Sequence, residues 1–258
     1  MQAPLLPPGR SPAMAASTST GARIAFAAVA LAALAAAGWF SMRSEPQGPL
    51  GLFTSLPIYW REAGDISAAL DPDGKPHWAR SLIEEDRELR PLDVLTPEAL
   101  KPFHDLLVAQ PRALAPAENV ALDAWVRGGG HLLLFADPML TEESAFAIGD
   151  RRRPMDVALL SPILAHWGLE LQFDQAQRPG EALRDLMGVA VPTNLAGHFA
   201  TRGQANCMLW GDGLSVSCAI GKGRVIAVAD AAVLEDKDPR GTRRKALEML
   251  LDSAFAAR

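Results

Sequence analysis

The chain has 258 residues, of which 49% are hydrophobic, 21% charged and 6% aromatic. This is enough apolar material for one large domain or two small ones, and it excludes a wholly disordered chain. A balance of 25 Lys+Arg against 30 Asp+Glu gives a net charge of −5, which argues against a protein built to neutralise nucleic-acid phosphates. Two cysteines and five scattered histidines are too few for a zinc scaffold or a disulfide-dense mini-fold, so the core must come from ordinary burial.

Residues 1–23 begin with a Pro, Ala, Ser and Thr tract that has no hydrophobic period and too little bulk to pack, and they read as disordered. Met14 lies inside this tract and is an alternative start to Met1. Residues 24–42 contain Ile24–Phe40, an uncharged run of seventeen residues near the lower limit for crossing a bilayer core. Arg10 and Arg23 precede the run, so the positive-inside rule puts everything after Arg43 on the far side of the membrane. Two readings stay open. One is an uncleaved single-pass anchor with Trp39 and Phe40 at the interface; the other is a signal peptide cleaved at Ala35-Ala36-Ala37. The anchor is preferred because the run exceeds the ~7–15 apolar residues of a signal peptide. The expected location is the bacterial inner membrane, with the C-terminal domain in the periplasm.

Residues 43–49 form a Pro/Gly linker, and residues 50–258 read as one α/β domain. Leu50–Ser55, Asp105–Gln110, His131–Ala136 and Arg224–Ala229 are short runs apolar on both faces, as strands of a parallel sheet covered by helices on each side should be. Between the second and third, Ala117, Val120, Ala121, Ala124 and Trp125 recur at helical spacing within Pro116–Arg127, which makes a strand–helix–strand crossover. A helix is predicted over Val157–Trp167 with Gly168 as its stop, then a strand at Leu169–Phe173. The last helix, Thr242 to Ala257, has Ala246, Leu247, Leu250, Leu251, Ala254 and Phe255 on one face and Arg243, Arg244, Glu248 and Asp252 on the other.

Asn206–Trp210 and Leu214–Ile220 flank Asp212-Gly213, a two-residue hairpin signal. Counting outward sets Cys207 opposite Cys218, at a hydrogen-bonded pair with Cα atoms about 5.5 Å apart. An oxidising compartment would permit a cross-strand disulfide there; two buried thiols are the alternative.

In a parallel sheet, ligands collect beyond the carboxyl ends of the strands, so the candidates are Thr54, Ser55, Asp137 and Asp230. Two carboxylates and two hydroxyls at one edge could hold a cation or a polar ligand. Capping is the commoner use of each aspartate, since Asp137 precedes Pro138 and Asp230 precedes a short apolar stretch. Tyr59 and Trp60 follow the first strand and read as a ligand wall, a partner-facing anchor or core. The charge runs Glu84-Glu85-Asp86 and Arg151-Arg152-Arg153 read as solvated faces. Gly128-Gly129-Gly130 follows a helix and precedes a strand, the wrong order for a phosphate loop. No hydrolase motif is present and the histidines are far apart in sequence, so no catalytic residue, metal ligand or cofactor is assigned.

The segment LLVAQPRALAPAENVALDAWVRGGGHLLLFADPML resembles the periplasmic α/β domain of GldG-like auxiliary proteins of ABC-type transport systems. Leu122 through Gly129 and Leu132 through Pro138 carry the likeness, as do Leu159–Leu171 and Gly221–Asp230, so it covers about Asp105 to Asp230. The resemblance implies a flavodoxin-like fold, similar also to class I glutamine amidotransferases but without their nucleophilic Cys. It implies a membrane-tethered, non-catalytic subunit with no cofactor, working beside an ATPase and permease or other envelope proteins. The alternative is an envelope hydrolase or transferase that uses Asp137 and Asp230 with a bound cation.

Overall fold

Residues 48–62, 75–238 and 241–256 are described by a computed structural model. The expected disordered segment, membrane anchor and most of the linker lie outside the described residues. Among the described residues no helix is long and apolar enough to cross a membrane.

Seven strands form the central sheet: β1 (Leu50–Thr54), β2 (Leu89–Pro91), β3 (Asp105–Ala109), β4 (His131–Phe135), β9 (Cys207–Trp210), β10 (Ser215–Ile220) and β11 (Gly223–Val228). Their order is β2-β1-β3-β4-β11-β10-β9. The first five in that order run parallel, and β10 and β9 add an antiparallel edge. The fold is therefore mixed α/β with a mostly parallel central sheet. Two ribbons lie outside the sheet: β5 (Leu169–Gln172) with β8 (His198–Thr201), and β6 (Ala182–Leu186) with β7 (Val189–Thr193). The strand expected after Gly168 exists as β5, but it pairs in the first ribbon.

Alternate residues of the parallel strands face two cores, which is why their sequences are apolar throughout. Leu52, Leu107, Leu133, Phe135 and Val228 pack on helices α1 (Trp78–Glu84) and α5 (Thr242–Phe255). Phe53, Leu106, Val108, Leu134 and Ala227 pack on α2 (Pro97–Leu100), α3 (Pro116–Arg127) and α4 (Ser161–His166). Each fully buried Leu or Phe stabilises the fold by about 1.5–3 kcal/mol through area removed from water.

Three details differ from the sequence pattern. Helix α3 has the expected bounds, but its buried face is Glu118, Ala121, Leu122 and Val126, while Val120 is 70% exposed. The helix is rotated by about one residue because Leu122 and Val126 bury more surface than Ala117 and Ala124, and because Glu118 is drawn inward by partners described below. Helix α4 starts at Ser161 rather than Val157: Pro162 sits in its first turn, and the Ala158 N–H already donates to Asp137 O at 2.8 Å. Arg243, assigned to the polar face of α5, is buried; its guanidinium donates to Ala232 O and to the carboxylates of Glu181 and Glu235.

The hairpin β9–β10 has the counted register, Cys207 opposite Cys218, and the structure joins the two by a disulfide. The phase differs from the sequence count. Trp210 and Ser215 are the last ladder pair, and the Ala219 N–H donates to Asn206 O at 3.0 Å. Bonded pairs alternate from there, so the cysteines occupy a non-hydrogen-bonded pair with Cα atoms 4.1 Å apart. The left-handed conformations of Gly211, Asp212 and Gly213 widen the turn and produce this shift. The bridge staples the edge strand to the sheet.

Candidate functional site

All five parallel strands end at one edge. Thr54 ends β1 and Ser55 follows it, Gln110 follows β3, Asp137 lies two residues beyond β4, and Asp230 two residues beyond β11. These side chains form a hydrogen-bonded network. Thr54 Oγ1 donates to Ala109 O at 2.7 Å and accepts from Leu56 N at 2.9 Å. Ser55 Oγ donates to Gln110 O and accepts from Met155 N at 3.0 Å. Both hydroxyls thus fasten β1 to its neighbours, and both residues also line the cleft described below.

Gln110 was not singled out in the sequence, yet it is fully buried and its backbone is left-handed at φ 42°. Its Nε2 donates to Asp137 O at 3.1 Å and Met155 O at 2.8 Å, and its Oε1 accepts from Asp137 N at 2.9 Å. The only sequence signal for it is a lone polar residue closing an apolar strand.

Asp137 and Asp230 are each 1% exposed. Asp137 accepts from Met139 N at 2.7 Å and Ala231 N at 3.0 Å. Asp230 accepts from Ala232 N at 2.6 Å and Asn194 N at 2.8 Å. Every oxygen of the two carboxylates therefore meets a backbone N–H, and together they tie the ends of β4 and β11 to the loop after β7. Neither aspartate opens an α-helix: Asp230 accepts from the N–H two residues on, just before the 3-10 turn Ala232–Leu234 whose N-cap is Ala231, and Asp137 makes a comparable local turn. Burial pushes the Asp137 carboxyl up to about 6. Burial first, and the facing Asp137 charge second, push Asp230 well above the usual carboxylate range. Among the described residues, the grouping with metal-ligand geometry is His104, Asp105 and His131, not this pair.

The open part of the edge lies at its flank. In the strand order found here, the chain leaves β1 toward β2 on one side and reaches β3 on the other, and the crevice for a ligand falls between β1 and β3. A cleft of about 470 Å³ sits there, lined by Thr54, Ser55, Trp60, Asp93, Arg112 and Arg151 to Arg153, among others. Tyr59, Arg61 and Phe146 extend it. Trp60 is 72% exposed and meets the half-buried Tyr59 edge to face at 4.9 Å. The Arg80 guanidinium lies 4.1 Å over the Tyr59 ring, which fixes that side chain as support for Trp60.

Arg112 forms a bidentate pair with Glu118, both bonds 2.7 Å, and donates to Asp93 O. Glu118 also accepts from Leu95 N and Ala115 N. The Arg112 guanidinium, ahead of these backbone donors, holds the Glu118 carboxyl down to about 2. Arg152 pairs with Asp150 and lies 4.1 Å over Phe146, while Arg153 pairs with Asp156. The run 151–153, read from sequence as a solvated face, is exposed at Arg151 and Arg152 and also forms a wall of the cleft. The result is a hollow with an exposed aromatic and an arginine-rich wall whose Arg112, Arg152 and Arg153 are already paired with carboxylates, chemistry suited to a polar ligand.

No family model matches the chain, and no curated protein matches it. Solved structures do. A GH42 β-galactosidase from G. stearothermophilus is 14% identical with a TM-score of 0.49, over 81% of this chain and 30% of that one. A cytoplasmic protein from Salmonella typhimurium is 11% identical with a TM-score of 0.45, over 78% and 97%. A putative ThuA-like protein from Bacteroides uniformis is 11% identical with a TM-score of 0.44, over 84% and 96%. The chain spans less than a third of the length of the β-galactosidase. Enzymes stand among the proteins of similar structure, and the expectation that this chain is not an enzyme is withdrawn on that finding. The likeness itself assigns no activity to this chain.

Proposed function

We propose that this chain is a membrane-tethered auxiliary subunit of an ABC-type export or envelope-assembly system, with a flavodoxin-like domain outside the inner membrane that receives a partner or polar ligand. The observation that carries this reading is the cleft at the β1/β3 crevice, which an exposed Trp60 lines together with Arg112 and Arg152. Large exposed aromatics beside arginines are the usual anchors of recognition surfaces. The uncharged run Ile24–Phe40 behind Arg10 and Arg23 supports export, and the Cys207–Cys218 disulfide fits an oxidising compartment. The bridge also occupies both thiols of the chain, so neither offers a cysteine nucleophile for amide hydrolysis.

The test is gentle detergent extraction of the tagged full chain and identification of what co-purifies. An ATPase or permease subunit is expected, with recovery reduced at least about tenfold in a Trp60→Ala, Arg152→Glu double variant. A consistently solitary protein, or a partner retained by that variant, overturns the reading.

A further inference from the structure

The amino edge of the sheet carries a second cluster, independent of the cleft. Strands β3 and β4 are parallel neighbours with Asp105 registered on His131. His104, the residue before β3, therefore lies beside the first residue of β4. The two imidazoles meet edge to face with centroids 4.5 Å apart. His104 Nδ1 is 3.0 Å and His131 Nδ1 3.4 Å from the same oxygen, Asp105 Oδ1. All three candidate ligand atoms lie within 4.8 Å of one another. Tetrahedral zinc with bonds of about 2.0–2.1 Å spaces its ligand atoms about 3.3 Å apart, the same scale.

The surroundings match that of a metal ligand set. Asp105 Oδ2 accepts from Arg87 Nη2 at 2.8 Å, which turns Oδ1 toward the two rings as an outer-shell bond should. His131 Nδ1 is buried and makes no hydrogen bond of good geometry, despite the nearby carboxylate. The His104 side chain is 68% exposed, so an ion has a path in and a free position toward water.

We propose that His104, Asp105 and His131 form a binding site for one divalent transition metal of the zinc class, with a fourth position open to solvent. Two imidazoles and one carboxylate suit zinc, nickel or copper rather than calcium or magnesium. Arg87, which bonds the Asp105 carboxylate, adds positive charge beside the site, so the affinity should lie below that of closed four-ligand sites.

Chelator-stripped full chain in detergent is titrated with zinc chloride by calorimetry and with cobalt(II) by visible absorption. One ion per chain is expected, with the intense bands of tetrahedral cobalt and a melting temperature raised by zinc. His104→Ala, which removes an exposed ring, and His131→Gln should each weaken zinc at least about tenfold and abolish the thermal shift. The metal-free melting curve of His104→Ala should match that of the parent, which separates loss of a ligand from loss of the fold. Absence of a stoichiometric site in the parent, or undiminished zinc binding by His104→Ala, overturns the proposal.

Discussion

The centre and the flank of the sheet's carboxyl edge differ in how far their functional-looking side chains are closed off from water. At the centre, Asp137 and Asp230 are sealed from water and each of their oxygens already meets a backbone N–H. At the flank, Trp60 and the arginines around it border open space. Position at a strand end therefore says only that a side chain lies at the right edge. Whether it can serve a ligand depends on whether the loops have taken its hydrogen-bonding capacity, because a buried N–H left without a partner costs about 1–3 kcal/mol and loops will recruit any carboxylate in reach.

The largest effects should come from the centre. Asp230→Ala leaves the buried N–H of Ala232 and the part-buried N–H of Asn194 without acceptors and should cost about 3 kcal/mol in urea unfolding. Asp230→Asn should cost about half as much, because its amide NH₂ would face one of those donors. Unchanged stability in both variants would break the contrast drawn here.

The same centre sets a pH signature. The folded Asp137 carboxyl, at about 6, titrates above its unfolded value near 4, so the native state holds the proton longer. Its stabilising share is complete below pH about 4 and is lost as pH rises through about 6. Glu142, pushed to about 7 by burial and the charges of Glu235 and Asp236, acts in the same sense. Melting temperatures should thus fall between pH 4 and 7, and the fall should be shallower in Asp137→Asn. A melting curve that rises across this window would contradict the burial argument.

An intermediate effect belongs to Glu118, which joins the two regions because it anchors the cleft's Arg112 from inside α3. Glu118→Gln should cost about 2 kcal/mol in unfolding experiments, since a charge-assisted bidentate pair and one backbone acceptor are weakened together. It should also reduce partner recovery by freeing Arg112. Loss of stability with full recovery would show that Arg112 takes no part in recognition.

The smallest change in stability is expected at the flank itself. Trp60→Ala should shift unfolding by no more than about 0.5 kcal/mol, as for other exposed positions. Partner recovery should nevertheless drop. A Trp60 variant that unfolds easily would move this residue into the core and close the contrast from the other side.

Several parts of the molecule were legible in the residues alone. The four apolar runs, the crossover helix Pro116–Arg127, the terminal helix and the Cys207–Cys218 register all follow from local periodicity and turn chemistry, which act over a few residues. The histidine cluster was within reach too, since two parallel neighbours that begin at Asp105 and His131 must bring their first residues together. Other parts were hidden. The elements β2 and α2, of three and four residues, are too short to show a period, β2 ends in a proline tolerated only at an edge, and the β6–β7 ribbon is exposed over much of its length, so no apolar run marks it.

Sequence by itself determined the layered α/β plan and the hairpin register, because strand and helix periods and an Asp-Gly turn are properties of a short stretch of chain. Only the tertiary structure decided which polar residues stay available. The fates of Thr54, Ser55, Asp137 and Asp230 were fixed by N–H and carbonyl groups brought from residues up to a hundred positions away, and Arg152 entered a cleft wall by the path of its loop. Hydrogen-bond demand in a buried edge is satisfied across the fold, so no local reading of a strand end can foretell it.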